Sequence, residues 1–180
     1  LFEGGKGRTV TAQDFAYSFN RIIDEKVASP GAWIFNNVDF NEEYNYQPFV
    51  ALNDTTLQIH LSQSFPPFLG ILTMQYCSVV AHEIVEYYRN DYGNNPIGTG
   101  PFQFKMWDEG NKMVFLKNEN YFEKDNDGSQ LPYIDGVAIT FLKDREVEFF
   151  KFLGDEFDFV NGREGENRDN LFTNDGKLKP

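Results

Sequence analysis

Pro96-Ile97-Gly98-Thr99-Gly100-Pro101-Phe102 is the segment that most limits the folds open to this protein. Each proline fixes its own φ and removes a backbone donor, and the two glycines open backbone angles closed to other residues. Neither a helix nor a strand can run through such a stretch, so it reads as a sharp crossover between two structural units. Phe102-Gln103-Phe104-Lys105-Met106-Trp107 then alternates apolar and polar, which predicts a strand. Asp108-Glu109-Gly110-Asn111 supplies a turn, and Met113 and Phe115 continue on a partner strand.

Upstream of the crossover, Thr11-Ala12-Gln13-Asp14 is a helix start. The Thr11 hydroxyl can cap a free backbone N–H, and Asp14, three residues on, can return the bond and face the helix dipole. Phe15, Phe19, Ile22 and Ile23 follow on one apolar stripe, and the helix is expected to end at 24–26, before Ser29-Pro30-Gly31. Residues 31–48 show no period and are expected to form a surface loop pinned to the core by Trp33, Phe35 and Phe40. Val50-Ala51-Leu52 and the alternating Leu57, Ile59 and Leu61, split by Asn53-Asp54-Thr55-Thr56, predict a β-hairpin that Pro66-Pro67 terminates. Short helices are expected at 68–74 and 81–89.

Beyond the second hairpin, residues 118–130 are a polar loop. Val137 to Leu142 predicts a strand, Asp144 to Phe152 a short helix, Gly154-Asp155-Glu156 a turn, and Phe157-Asp158-Phe159-Val160 another short strand. Strand, helix and strand in so few residues suggest a βαβ unit with a parallel pair, hence a mixed α/β (α+β) class.

There are 28 acidic against 16 basic residues, a net charge of −12. That argues against a nucleic-acid or anionic-membrane partner, since either needs a basic patch. At 41% hydrophobic residues, 180 residues can build a core, which argues against global disorder. The single cysteine, Cys77, sits in an apolar run and reads as a buried, inert thiol; no internal disulfide can form. No Cys or His spacing suggests zinc, and no apolar run approaches the roughly 20 residues of a membrane span. Both ends are turn-like or polar and no signal sequence precedes Leu1, so the expectation is a piece of a longer protein.

Candidate chemistry is sparse. Glu123-Lys124-Asp125-Asn126-Asp127-Gly128 imitates the start of a calcium loop, but Ile134 stands where a bidentate carboxylate belongs, so a solvated loop is favoured. His60 and His82 lie far apart with no Ser- or Cys-centred nucleophile motif, and read as structural or exposed. Asp155, Glu156 and Asp158 could serve as paired carboxylates, yet their turn and strand positions favour solvation. Gly4-Gly5-Lys6-Gly7 lacks phosphate-loop spacing.

Four segments then stand in one order: Gly7-Arg8-Thr9-Val10-Thr11-Ala12-Gln13-Asp14-Phe15-Ala16-Tyr17-Ser18-Phe19-Asn20-Arg21; Phe65-Pro66-Pro67-Phe68-Leu69; Ile97 to Phe102 with Trp107, Gly110 and Asn118-Glu119-Asn120-Tyr121-Phe122; and Leu131-Pro132-Tyr133-Ile134-Asp135-Gly136-Val137 with Gly154-Asp155-Glu156-Phe157-Asp158. Together they resemble the motif series of the family 5 extracellular solute-binding proteins, the dipeptide-, oligopeptide- and nickel-binding receptors of ABC importers. The acidic residues of Gly154-Asp155-Glu156 depart from that family's usual Gly-Glu order. The resemblance implies a partial periplasmic-binding-protein-like class II fold with mixed sheets and flanking helices. It implies an insert subdomain of the first lobe at 1–97, the core α/β part of that lobe at 98–163, and the start of the following segment at 164–180.

The same resemblance implies no enzyme, no cofactor and no resident metal. Its implied partners are a small peptide or similar solute and ABC permease subunits, and its location is periplasmic or cell-surface, with membrane contact only through a lipid anchor. A peptide- or pheromone-sensing receptor, a receptor for nickel complexes or sugars, and more distantly a small acidic hydrolase are the alternatives. Ligands of open α/β sheets bind beyond strand carboxyl ends, and the resemblance puts the end of the βαβ unit near the hinge. Val160, Asn161, Gly162 and Arg163 are therefore expected to line the cleft, against a plain linker. Arg8 is the fifth ligand-binding candidate, weighed against a salt bridge within the lobe.

Overall fold

The computed structural model describes residues 7–40 and 47–161. Its contacts divide the protein into two units, one of residues 1–107 and 114–137 and one of residues 108–113 and 138–180.

In the first unit, α1 spans Ala12–Ile23 and begins as its sequence predicts. The Thr11 N–H donates to Asp14 Oδ2 at 2.8 Å, and the Thr11 hydroxyl leans on the same oxygen at 3.4 Å. A further free donor of the first turn is satisfied from a distance, because Ala12 N–H donates to the Asp54 carbonyl at 2.8 Å. Asp54 sits at the tip of the predicted hairpin, β1 (Phe49–Asn53) paired antiparallel with β2 (Thr56–Ile59). The Asn53 side group shapes that tip by accepting from Thr55 N–H and Oγ1 at 2.9 and 3.0 Å.

Most of the predicted stripe of α1 faces the core, with Phe19 buried and Ile22 and Ile23 packed against the core cluster, but Phe15 does not. Ala12, Ala16 and Phe19 are buried with Ser18 and Asp14, while Phe15 lies on the exposed side with only its edge against Phe19. The small Ala12 and Ala16 let the helix lie close against the hairpin. Phe19, Phe35 and Phe49 form a triangle of rings with centroids 4.7–5.4 Å apart. Ile34, Val38, Phe68 and Cys77 complete the cluster.

The 31–48 loop is pinned differently than expected. Ala32–Phe35 makes one turn of 3₁₀ helix that drives Ile34 and Phe35 inward at 1% exposure, while Trp33 and Phe40 stay about half exposed at 49% and 46%. Val38 then pairs with Leu61 in an isolated antiparallel bridge just past the end of β2. Gly31 is needed at the loop's start, since a Cβ there would lie 2.5 Å from the Tyr76 ring.

The helix expected at 68–74 is a single turn, α2 (Phe68–Ile71), followed by a 3₁₀ turn at Gln75–Cys77. The next helix, α3 (His82–Tyr88), forms where predicted. Buried Ser18 ties α1 to the approach of α3, donating to the Asp14 carbonyl at 2.7 Å and accepting from Val80 N–H at 2.9 Å.

After the crossover come β3 (Phe102–Asp108), β4 (Lys112–Lys117) and β5 (Gly136–Thr140), in the sheet order β3-β4-β5. Within the first unit Asn118 N–H donates to Pro101 O at 2.9 Å and Lys117 N–H to Asp135 O at 2.7 Å. Within the second, Asn111 N–H donates to Asp108 O at 3.0 Å and Phe141 N–H to Asn111 O at 2.9 Å. Partner numbers fall as strand numbers rise, so both pairings are antiparallel.

In the second unit, Asp144 caps α4 (Arg145–Leu153), its carboxylate accepting from the N–H groups of Glu146 and Val147. The helix ends through Gly154 N–H to Phe150 O and Glu156 N–H to Lys151 O, both 2.9 Å. That closure puts Asp155 at φ 57°, a left-handed conformation that glycine tolerates better. Asp155→Gly is expected to raise stability by about 0.5–1 kcal/mol, read as a higher urea midpoint at unchanged slope.

The expected second strand of a βαβ unit is absent from the described residues, where 157–161 run outside regular structure. A parallel strand needs a neighbouring edge to complete its hydrogen bonds, and the alternation Phe157-Asp158-Phe159-Val160 does not supply one. Phe159 is instead 79% exposed. The sheets among the described residues are antiparallel throughout.

Candidate functional site

Arg8 precedes α1 and reaches two helices at once. Its guanidinium grips the Asp14 carboxylate with two N–H groups, Nη1 donating to Oδ2 at 2.7 Å, and grips Glu83 with two more, Nη2 donating to Oε2 at 2.8 Å. The fork of Arg matches two planar carboxylates in a way that a lysine cannot. Asp14 is buried and Glu83 half-buried, so the pairing replaces lost water for both. The guanidinium holds both acids below their ordinary range, Glu83 at about 2, and its own pKa is raised in return. His82 Nδ1 stands 3.2 Å from Glu83 Oε2, with its ring edge-on to Tyr17.

Asp14, His82 and Glu83 place ligand atoms within 4.8 Å of one another, the one such grouping among the described residues. The Arg8 guanidinium already occupies both carboxylates, so the positive charge at this point is the arginine's own.

A second constellation fixes the crossover. Asn118 is buried. Its Nδ2 donates to the Gly100 carbonyl at 2.8 Å, and its Oδ1 accepts from Gln103 Nε2 at 3.0 Å and from Asn120 N–H at 3.1 Å. One residue thus clamps the incoming crossover, β3 and the outgoing loop. Gly98 and Gly100 do not adopt the left-handed angles for which the sequence offered them, and nothing approaches within 4 Å of where their Cβ atoms would stand. The Asn118 clamp and the prolines define the bend. Asn118→Ala is expected to cost about 2–3 kcal/mol by leaving several polar groups unpaired, measurable as a fall in the chemical-denaturation midpoint.

Val160 is half-buried and Asn161 exposed in the irregular end of the second unit; Gly162 and Arg163 lie outside the described residues. Arg8 belongs to the first unit, so these candidates come from separately described parts of the protein. An open cavity of about 360 Å3 lies just before Val160, lined by Phe152, Leu153, Asp155, Phe157 and Asp158. A smaller apolar one, about 170 Å3, is lined by residues including Val80, Ile84, Tyr92 and Ile97 in the first unit.

The calcium-like loop is satisfied from within. Asp125 Oδ1 accepts from Asp127 N–H at 2.9 Å and Ser129 N–H at 2.7 Å, and its other oxygen accepts from the Tyr133 hydroxyl. Cys77 is buried, and burial pushes its thiol pKa up.

Sequence reasoning missed Glu83 as a partner of Arg8 and Asn118 as the clamp. The first is 75 residues from Arg8, and no local pattern signals it. The second stood inside a recognised motif without a visible reason for being asparagine.

The deciding comparison covers nearly the whole sequence, for residues 5–179 match the model of the bacterial extracellular solute-binding proteins, family 5 Middle. The chain belongs to this family. Family 5 relatives include the oligopeptide-binding protein OppA of Bacillus subtilis (strain 168), 26% identical over 164 residues, covering 86% of this chain and 29% of OppA. The structure of a periplasmic oligopeptide-binding protein, the oligopeptide ABC transporter protein OppAIV of Borrelia burgdorferi, superposes with a TM-score of 0.73 at 26% identity, covering 84% of this chain and 31% of that one. OppA of Burkholderia pseudomallei superposes at 0.79 with 18% identity, over 92% and 33% of the two proteins, and shows the shared fold. This family 5 chain thus spans about 30% of the length of these relatives. Its mixed helices and sheets are a partial periplasmic-binding-protein-like fold, as the resemblance implied.

Proposed function

We propose that this polypeptide is part of the substrate-binding component of an ABC transporter, which captures small peptides outside the cytoplasmic membrane and delivers them to the permease. The family match across residues 5–179, to a family with oligopeptide-binding members, supports the reading most directly. The role is binding and not bond making. Two lobes closing on a hinge would select the closed form when ligand is present. Peptide backbone would be held by strand-like hydrogen bonds, with side groups in wet, tolerant pockets. Permease subunits are the partners on this reading, and a lipid tether is the means of staying near them.

Val160, Asn161, Gly162 and Arg163 are assigned to the cleft wall. Arg8, already engaged by Asp14 and Glu83, is assigned the task of holding α1 against α3.

Native mass spectrometry of the full-length protein from its own host tests the reading. A ladder of co-purified di- to pentapeptides is the expected result. A single non-peptide or nickel-bearing mass would keep the receptor and replace its ligand class. The 180 residues alone are expected to bind defined peptides more weakly than micromolar by calorimetry, and a tighter Kd would overturn the assignment of the cleft to two lobes.

A further inference from the structure

We propose that Asp14, His82 and Glu83 are a preformed divalent-metal site in which the Arg8 guanidinium stands in for the ion. The donors are one imidazole nitrogen and two carboxylate oxygens, all within 4.8 Å of one another. Such a set suits zinc, which takes three protein ligands and a water at about 2.0–2.2 Å in an open four-coordinate site. Ligand atoms around a tetrahedral ion of that kind stand about 3.4 Å apart. His82 Nδ1 and Glu83 Oε2 are already 3.2 Å apart. The Asp14 carboxylate is 4% exposed and is oriented by Thr11, whose N–H donates to its Oδ2 at 2.8 Å. A donor behind the carboxylate is the usual means by which a metal site fixes its ligands. All three residues belong to the first unit.

Arg8 closes the site. Its Nη2 bridges the two acids, donating to Asp14 Oδ1 and to Glu83 Oε2, the same oxygen that faces His82. One nitrogen of the arginine thus touches two of the three donor groups, and its partner oxygen on Glu83 meets the third. The buried Asp14 carboxylate needs a cation at this point, and residue 8 decides which cation it is. Without the guanidinium, the two carboxylates and a neutral His82 are free to take up a metal, and the binding energy becomes folding energy. Nothing in this exchange depends on peptide binding.

Zinc titrated into the 180-residue protein and its Arg8→Met variant at neutral pH tests this. In the wild type zinc must first displace the arginine. Calorimetry is therefore expected to show one zinc bound about 30- to 150-fold more tightly by Arg8→Met, the equilibrium equivalent of the stability that Arg8 contributes. The same zinc should raise the urea midpoint of Arg8→Met and leave that of the wild type in place. The sequence holds two histidines, so NMR of their rings separates the site from His60: only the His82 signals should shift. Adding His82→Ala to Arg8→Met should abolish the gain. Arg8→Lys keeps one charge at the site and should bind zinc with intermediate affinity; it carries the comparison if Arg8→Met does not fold. Equal zinc affinity in the wild type and the variants at position 8 would overturn the proposal. So would a gain that survives the loss of His82.

Discussion

Phe35→Ala is expected to lower the unfolding free energy by about 3–5 kcal/mol, the range for deleting a buried aromatic ring. The ring is 1% exposed and touches both other members of the aromatic triangle. Its removal opens a cavity between α1 and the β1–β2 hairpin and strips the ring contacts of Phe19 and Phe49, each contributing beyond area burial. Trp33→Ala two residues earlier is the comparison. Trp33 is half exposed, so its loss is expected to cost about 1 kcal/mol or less. Urea titrations of the two variants read the difference directly. Equal losses would mean that Trp33 pins the loop as firmly as Phe35, although it is half exposed.

Arg8→Met is expected to cost about 2–3 kcal/mol, below the range for a fully buried pair because Arg8 is 36% exposed and partly screened. Methionine keeps the apolar stem and removes the charge, leaving the buried Asp14 carboxylate with its helix-cap bond alone. The pH dependence has a definite sign. Asp14 and Glu83 both titrate below their ordinary range in the folded protein, so their contribution is full above the unfolded pKa near 4 and is lost as pH falls toward the folded values, about 2 for Glu83. The stability gap between wild type and variant should therefore shrink between about pH 5 and pH 2. A gap that stays constant over that window would show that the arginine acts through packing and not through its two carboxylates.

What the sequence could reveal follows the distance over which each signal acts. The Thr11–Asp14 helix start, the turn at Asn53–Thr56 and the alternation through Phe102–Trp107 are set by neighbours within a few residues, and each formed as read. Phe19, Ile22 and Ile23 were legible as the core side of α1, but the outward turn of Phe15 was not, because Ala12 and Ala16 only take the contact face once the hairpin lies against the helix. Phe35 was legible as a core residue, but Ile34 and Val38 were hidden in a segment with no period. The parallel pair failed for a related reason. Phe157–Val160 has the alternation of a strand, but alternation cannot specify an edge to pair with. Of the candidate site, Arg8 was visible as a charge before a helix, and its partner on α3 was not.

The aromatic triangle has a consequence for how the protein acquires its structure. Its rings come from positions 19, 35 and 49, and the whole buried cluster around them closes by Cys77. Every contact that defines this core therefore exists before the crossover at 96–102 is synthesised. The described residues 12–40 and 47–77 hold this whole cluster and are expected to fold at the ribosome while the sheet that follows is still being made. Amides of α1 and the β1–β2 hairpin should accordingly exchange with solvent as one group, more slowly than those of β3–β5.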